Sequence, residues 1–225
     1  MSSLPRIIEV RARVLKENDL LARALRDRFQ QAGVTAISFV SSPGAGKTTF
    51  LEKLMSMMSA QHRIAALVGD LATENDAMRL SRACSQVRQI TTGTVCHLDA
   101  KMIAGALEGW NLDNLDFLFI ENVGNLVCPS SYDLGEQMRF VLLSCTEGED
   151  KPLKYPTIFN TADAALITKM DLAAAAEFDL PAARRNIQSV RPGMRVLEVS
   201  SKTGMGMGDV TELIEASAPS HAGKI

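Results

Sequence analysis

Lys47 and Thr48 close the stretch Ser41-Ser42-Pro43-Gly44-Ala45-Gly46-Lys47-Thr48-Thr49. An ammonium beside a hydroxyl, directly after two glycines, is a set of groups suited to holding phosphate. Gly44 and Gly46 put no Cβ between backbone and anion and permit positive φ. The N–H groups from Gly44 through Ala45 and Gly46 to Thr48 would face the anion at the positive end of a helix dipole, with Thr49 next in line. Lys47 brings a point charge to the β and γ oxygens and so also counts as catalytic. Thr48 offers its hydroxyl to magnesium. An apolar run at 36–40 precedes this stretch and a helix-like run at 50–58 follows it, which is the layout of a phosphate-binding P-loop. The general pattern opens on glycine. Ser41 stands there instead, so the entry geometry of the loop is expected to differ. The competing reading is a plain Gly-rich turn before a helix.

Two acids accompany the loop. Glu121-Asn122-Val123-Gly124 follows the apolar run 117–120, and Asp70 follows the run 64–68. Thr48, Asp70 and Glu121 would surround magnesium directly or through water, or the acids would simply cap helix N-termini. Gly124 would give its N–H to the terminal phosphate and sense its loss. Asp76 is a candidate for orienting the attacking water, or else a charge in the first turn of a helix. No arginine finger is evident.

The base is addressed by Thr168-Lys169-Met170-Asp171, which resembles the guanine-reading Asn/Thr-Lys-x-Asp motif. A carboxylate at Asp171 accepts from both guanine N1–H and the exocyclic amine, a pair of donors adenine lacks. Lys169 lays its aliphatic stem across the base, and Thr168 takes the place usually held by Asn. Ser200, Ser201 and Lys202, after the run 196–199, resemble the second guanine loop, with a backbone N–H reaching the base carbonyl. Each motif alone is short. Their order and positions at strand ends favour GTP and GDP over adenine nucleotides.

A second chemistry lies in Cys96, His97 and Cys128. Thiolate and imidazole suit zinc, nickel or copper. The alternative is two core cysteines and a surface histidine. Three ligands are too few for a closed structural zinc site, so a two-fold axis joining two copies would complete the set. Cys128 lies four residues past Gly124, which gives nucleotide state a route to the metal. Cys84 and Cys145 read as core.

The elements that must position these groups alternate. Strand-like runs at 36–40, 64–68, 117–120, 140–144, 164–168 and 196–199 are interleaved with helical runs at 48–60, 75–85, 98–110, 173–190 and 209–216. This predicts an α/β fold: a mainly parallel sheet with helices on both faces, its ligands at the carboxyl ends of the strands. Residues 1–33 read as an N-terminal helical extension of one or two helices, with Ile7, Val10 and Val14, then Leu21, Leu25 and Phe29, at helical spacing and Asn18-Asp19 as a restart. Residues 34–217 form the nucleotide domain and 218–225 a frayed tail. Met205 and Met207 fall in a Gly-Met-Gly-Met-Gly stretch that reads as a loop. A chain of 225 residues supports one full core, and a net charge of −2 argues against nucleic acid or an anionic membrane as partner. No run is long enough to span a bilayer. Four cysteines in such a chain argue against a disulfide framework and for the cytosol.

Together these residues carry a resemblance to the HypB family of GTPases that help insert nickel into [NiFe]-hydrogenases. Beyond the P-loop, it rests on Thr92-Gly93-Thr94-Val95-Cys96-His97-Leu98-Asp99-Ala100 and on the stretch from Phe119 to Pro129. Asp133-Leu134-Gly135-Glu136 and the loop from Glu147 to Pro156 extend it, and it covers roughly residues 35–215. The resemblance implies a SIMIBI-class P-loop fold, slow GTP hydrolysis, a nucleotide-favoured homodimer and a metal site at Cys96, His97 and Cys128. It also implies a small HypA-type accessory protein and the hydrogenase large subunit as partners. Residues 1–35 carry no Cys and no His, so nickel handling must rest on the internal site. The Lys151 and Lys154 loop would contact nucleotide or a second subunit, or be a solvated charged loop. The rivals are a urease-type nickel GTPase, which would present Cys-Pro-His, and a metal-storage module with a structural nucleotide site. A kinase using the same loop is a third.

Overall fold

The computed structural model describes residues 4–71 and 75–218, with side chains described from Ala12 onward. In chain order the elements are α1 (Leu4–Ala32), β1 (Thr35–Ser41), α2 (Lys47–Met58), β2 (Ile64–Asp70), α3 (Asn75–Leu80), β3 (Gln86–Thr91), α4 (Ala100–Ala106) and β4 (Phe117–Glu121). They continue with β5 (Met138–Ser144), α5 (Lys151–Lys154), α6 (Pro156–Thr161), β6 (Ala164–Thr168), α7 (Leu180–Val190), β7 (Arg195–Glu198) and α8 (Met207–Ser217). The seven strands form one sheet in the order β3-β2-β4-β1-β5-β6-β7, and every pairing is parallel. Strands β1, β4 and β6 are buried along their whole length, as a sheet covered on both faces requires. Phe39 of β1 anchors one layer, with its ring 5.4 Å from Phe140, 5.7 Å from Phe50 and 5.8 Å from Phe119. All carboxyl ends therefore meet at one edge of the sheet, the place where such folds hold ligands.

Several elements differ from the sequence expectation. Strand β3 is additional to the expected set: only Val87 and Ile90 are aliphatic in Gln86–Thr91, because it is an edge strand paired on one side alone. The helix expected at 173–190 is cut to Leu180–Val190, where Asp179 caps Ala182 N–H and Pro181 fits the first turn. The run expected at 98–110 is cut to Ala100–Ala106, with Asp99 as the cap. Met207 is fully buried and opens α8, so the Gly-Met-Gly-Met-Gly stretch is in part a helix start and a core contact.

The N-terminal segment is one continuous helix, without a restart at Asn18-Asp19. Its buried face is Asn18, Ala22, Leu25, Phe29 and Ala32, whereas Val14 and Leu21 are exposed. Ile7 and Val10 lie outside the described side chains, and the expected tail lies outside the described residues from 219 on. Among the described residues, no helix is long and apolar enough to cross a membrane.

Candidate functional site

The loop between β1 and α2 forms as its glycines allow. Gly44 has φ +76° and Gly46 φ +95°, so both occupy conformations that suit residues without a Cβ. Gly46 is the N-cap of α2, and Lys47 and Thr48 are its first residues, both buried. Ser41, the departure from the general pattern, ends β1 and is not among the residues with positive φ. A Cβ is therefore accommodated there. Its hydroxyl accepts the Lys47 ammonium at 3.0 Å, which gives that charge a partner inside the protein. Burial lowers the Lys47 pKa, opposed by the charges of Glu121, Asp76, Glu147 and Asp70.

A cleft of about 530 Å³ opens over this loop. Its walls include Gly44, Gly46, Lys47, Thr48, Thr49, Asp70, Asp76, Glu121, Gly124 and Lys169, so the residues read as phosphate, magnesium and switch groups do converge. The Thr48 hydroxyl donates to Glu121 Oε1 at 2.7 Å. Glu121 is 3% exposed, and its Oε2 is buried with no hydrogen-bond partner among the described residues. Burial raises its pKa to about 7, against the pull of Lys47 and Thr48. An orphaned carboxylate oxygen beside a threonine hydroxyl and a second acid, Asp70, fits a hard divalent cation with oxygen ligands. Asp70 ends β2 and its Oδ1 accepts Leu71 N–H at 2.7 Å. A Cβ on Gly124 would lie 2.9 Å from Pro43 Cα, so glycine lets this backbone rest against the phosphate loop.

Arg79 also lines the cleft, and the sequence reading missed it. It donates to Thr49 Oγ1 and to Glu52 Oε2, each at 2.9 Å. The available signal was its spacing from Asp76, which puts both on one face of α3.

A smaller cavity of about 190 Å³ adjoins the first and is lined by Ala45, Gly46, Thr49, Thr168, Lys169, Asp171, Leu172, Ser201 and Lys202. The Thr168 hydroxyl donates to Ala45 O at 2.8 Å, and Lys169 Nζ donates to Gly44 O at 2.7 Å. The Thr-Lys-x-Asp segment is thereby fastened to the phosphate loop. Lys169 has φ +59°, strain that a non-glycine residue carries only where its surroundings hold it. Ser200 plays a supporting part rather than lining the cavity. Its N–H is taken by Met205 O at 2.9 Å, and its hydroxyl donates to Asp171 Oδ1 at 2.6 Å, which orients the acid.

Across the segment 121–124 lies the second cluster. Cys96 Sγ and Cys128 Sγ are 3.0 Å apart. With one His97 nitrogen they form three potential ligand atoms, all within 4.8 Å of one another. His97 stacks on Tyr132 with ring centroids 4.0 Å apart and an angle of 24°. Burial lowers the His97 pKa, opposed by Asp99, which favours the neutral imidazole that a metal takes. Asn125 Nδ2 donates to Cys96 O at 3.3 Å. Asn122, 1% exposed, accepts both Leu98 N–H at 3.1 Å and Val123 N–H at 2.9 Å. Sequence reasoning left Asn122 without a role, since a buried asparagine's partners are set only by the fold. Lys151 and Lys154 sit on α5, where Lys154 pairs with Asp150 at 2.6 Å and Lys151 lies 5.4 Å from the Tyr155 ring centroid.

Residues 35–198 match the family described as CobW/HypB/UreG, nucleotide-binding domain. The hydrogenase maturation factor HypB of Rhizobium leguminosarum bv. viciae is 43% identical over 220 residues, 98% of this chain and 74% of that protein. The crystal structure of HypB from Helicobacter pylori in complex with nickel is similar at a TM-score of 0.84 and 41% identity, covering 92% of this chain and all 100% of that one. HypB from Archaeoglobus fulgidus gives the same TM-score of 0.84 at 34% identity, over 91% of this chain and 100% of that one. With a domain match across most of its length and HypB proteins similar in both sequence and fold, the chain belongs to the CobW/HypB/UreG family and, within it, to the HypB proteins.

Proposed function

We propose that this protein is a GTP-hydrolysing nickel carrier that supports metal insertion into a [NiFe]-hydrogenase. The observation that carries this reading is the contact between its two sites. The segment running from Glu121 through Gly124 to Cys128 lines the phosphate cleft at one end and the Cys/His cluster at the other. The names of the relatives, hydrogenase maturation factors and a HypB crystallised with nickel, support the same assignment.

In this reading the N–H groups of the phosphate loop, with Lys47, hold the β and γ phosphates, and Asp171 reads guanine. Thr48, Asp70 and Glu121 would hold Mg²⁺, which when bound would spread the negative charge developing on the transferred phosphoryl group. Hydrolysis is carried mainly by positioning and by electrostatics in the buried cleft. Asp76 orients the attacking water, and Arg79 adds a fixed positive charge to the same wall. Gly124 rests on Pro43, so a change at the phosphate end moves the backbone that bears Cys128.

Ni²⁺ is the cargo, taken by Cys96, His97 and Cys128, and the same donors accept Zn²⁺. Three ligands leave room for the matching residues of a second copy, so a homodimer favoured by GTP completes the site. With the help of a HypA-type accessory protein, the metal is then delivered to the hydrogenase large subunit. Cys96 and His97 are adjacent, unlike the Cys-Pro-His arrangement expected of a urease-type GTPase.

Equilibrium dialysis with Ni²⁺, run beside a phosphate-release assay with GTP, tests the assignment. Cys96→Ala and Cys128→Ala should abolish stoichiometric Ni²⁺ uptake while GTP turnover persists. Unchanged uptake by both variants would remove the cluster from the function, and absence of GTP turnover in the parent protein would remove the enzyme.

A further inference from the structure

We infer that α1 is a clamp on the metal cluster and that Asn18 is its positioning residue. The inference rests on the nickel reading above and adds a role for an element outside the matched family domain, which begins at residue 35.

Asn18 sits in the middle of a 29-residue helix and is 5% exposed, between exposed neighbours at Glu17 and Asp19. Asparagine is a poor choice for a helix interior, and a buried amide must be satisfied. Here both ends of the amide are used across the fold. Nδ2 donates to Asp133 O at 2.9 Å, and Oδ1 accepts Ala100 N–H at 2.9 Å. Those two partners directly follow the two segments that carry the ligands. Ala100 opens α4 three residues after His97. Asp133 directly follows Tyr132, whose ring stacks on His97, and the 3-10 turn Cys128–Ser131 lies just before it.

The loop is held to the helix at further points. Arg26 Nη2 donates to both carboxylate oxygens of Asp133, at 2.7 and 2.8 Å. Gly135, with φ +82°, lies flush on α1: a Cβ there would meet Leu25 Cβ at 2.7 Å and Ala22 O at 2.8 Å. From the other side, Arg139 Nη2 donates to Tyr132 O at 2.7 Å and to Glu136 Oε1 at 2.6 Å. Metal-binding histidines are usually oriented by a hydrogen bond to the second ring nitrogen. His97 Nδ1 is buried and has no such partner among the described residues. Its orientation therefore depends on the Tyr132 ring and on the backbone that Asn18 holds at Ala100, three residues after His97, and at Asp133, next to Tyr132.

The test uses the full chain, Ni²⁺ alone as the probe, and the thiolate-to-nickel absorption band together with competition against a chelator. Asn18→Leu removes both bonds; Asn18→Asp keeps the acceptor and loses the donor. Asn18→Leu should weaken Ni²⁺ binding by about 10-fold or more and alter the band, in the range seen when partners of ligating residues are lost. Asn18→Asp should fall between Asn18→Leu and the parent, and GTP turnover measured with Mg²⁺ and without Ni²⁺ should stay close to the parent's in both. If Asn18→Leu does not fold, Asn18→Asp decides. Folded variants with the parent's Ni²⁺ affinity and spectrum overturn the clamp alone. A parent chain that takes up no Ni²⁺ overturns the nickel reading and the clamp with it.

Discussion

The side-chain carbonyl of Asn122 accepts the backbone N–H of Leu98 at 3.1 Å. Asn122 follows Glu121, whose carboxyl lies on the Thr48 hydroxyl, and Leu98 follows His97. One hydrogen bond thus joins the segment that borders the phosphate cleft to the segment that bears a cysteine and a histidine. Gly69 reinforces the joint, since a Cβ there would meet the Leu98 side chain at 2.8 Å.

Asn122→Ala should weaken this link. It leaves Leu98 N–H and Val123 N–H buried without their acceptor, a loss of about 1–3 kcal/mol for each unsatisfied group. Ni²⁺ affinity measured with GDP and with a non-hydrolysable GTP analogue should then differ less than in the parent. A full parental difference in the variant would place the coupling elsewhere.

Lys47→Ala should lower kcat/KM for GTP by at least about 100-fold, as loss of a group that stabilises transition-state charge does. The fold should survive, because burial disfavours the Lys47 ammonium and alanine removes that burden. Phosphate release and thermal unfolding measured on the same sample check both halves.

Glu121 provides a pH prediction. Its carboxyl is pushed up to about 7 in the folded protein without nucleotide. In the unfolded chain it ionises at about 4.3. Below that pH the group is neutral in both states, and its contribution to stability is fully present. As pH rises through the folded pKa the contribution is lost, by linkage a total of roughly 4 kcal/mol. Glu121→Gln should therefore gain melting temperature relative to the parent between pH 5 and pH 8 in the metal-free protein, and should lose Mg²⁺-dependent turnover. A melting difference independent of pH would contradict the assigned titration.

Much of this arrangement is legible in the sequence, for physical reasons. Strands buried on both faces read as continuous apolar runs, so β1, β2, β4, β5 and β6 are legible within a few residues, and edge strand β7 is legible through its Val196-Leu197 pair. The phosphate loop and its acids follow such runs directly, which locates them at one edge. Edge strand β3 has little apolar signal and escapes that reading. Contacts made only by folding escape it too: Ser41 as the partner of Lys47, Asn122 between the two sites, and Arg79 on the cleft wall. Asn18 reads as a helix cap, since asparagine favours caps, yet it is a buried bridge between loops distant in sequence.

Asp171→Asn should shift preference from guanine toward xanthine nucleotides, because an amide presents a donor where the carboxylate accepted. Ser200 holds Asp171 Oδ1 at 2.6 Å and would hold the amide oxygen the same way, so the loop should remain in place. Competition between GTP and xanthosine triphosphate reads the effect, and an unaltered GTP preference would reassign the base pocket.

The most direct test of the central claim is the Ni²⁺ affinity of the full chain loaded with GDP and with a non-hydrolysable GTP analogue, each with Mg²⁺. The account predicts affinities that differ by about 5-fold or more, with Ni²⁺ changing the ratio of nucleotide affinities by the same factor. Equal Ni²⁺ affinities in the two nucleotide states would show that the Cys/His cluster and the phosphate cleft are neighbours without communication.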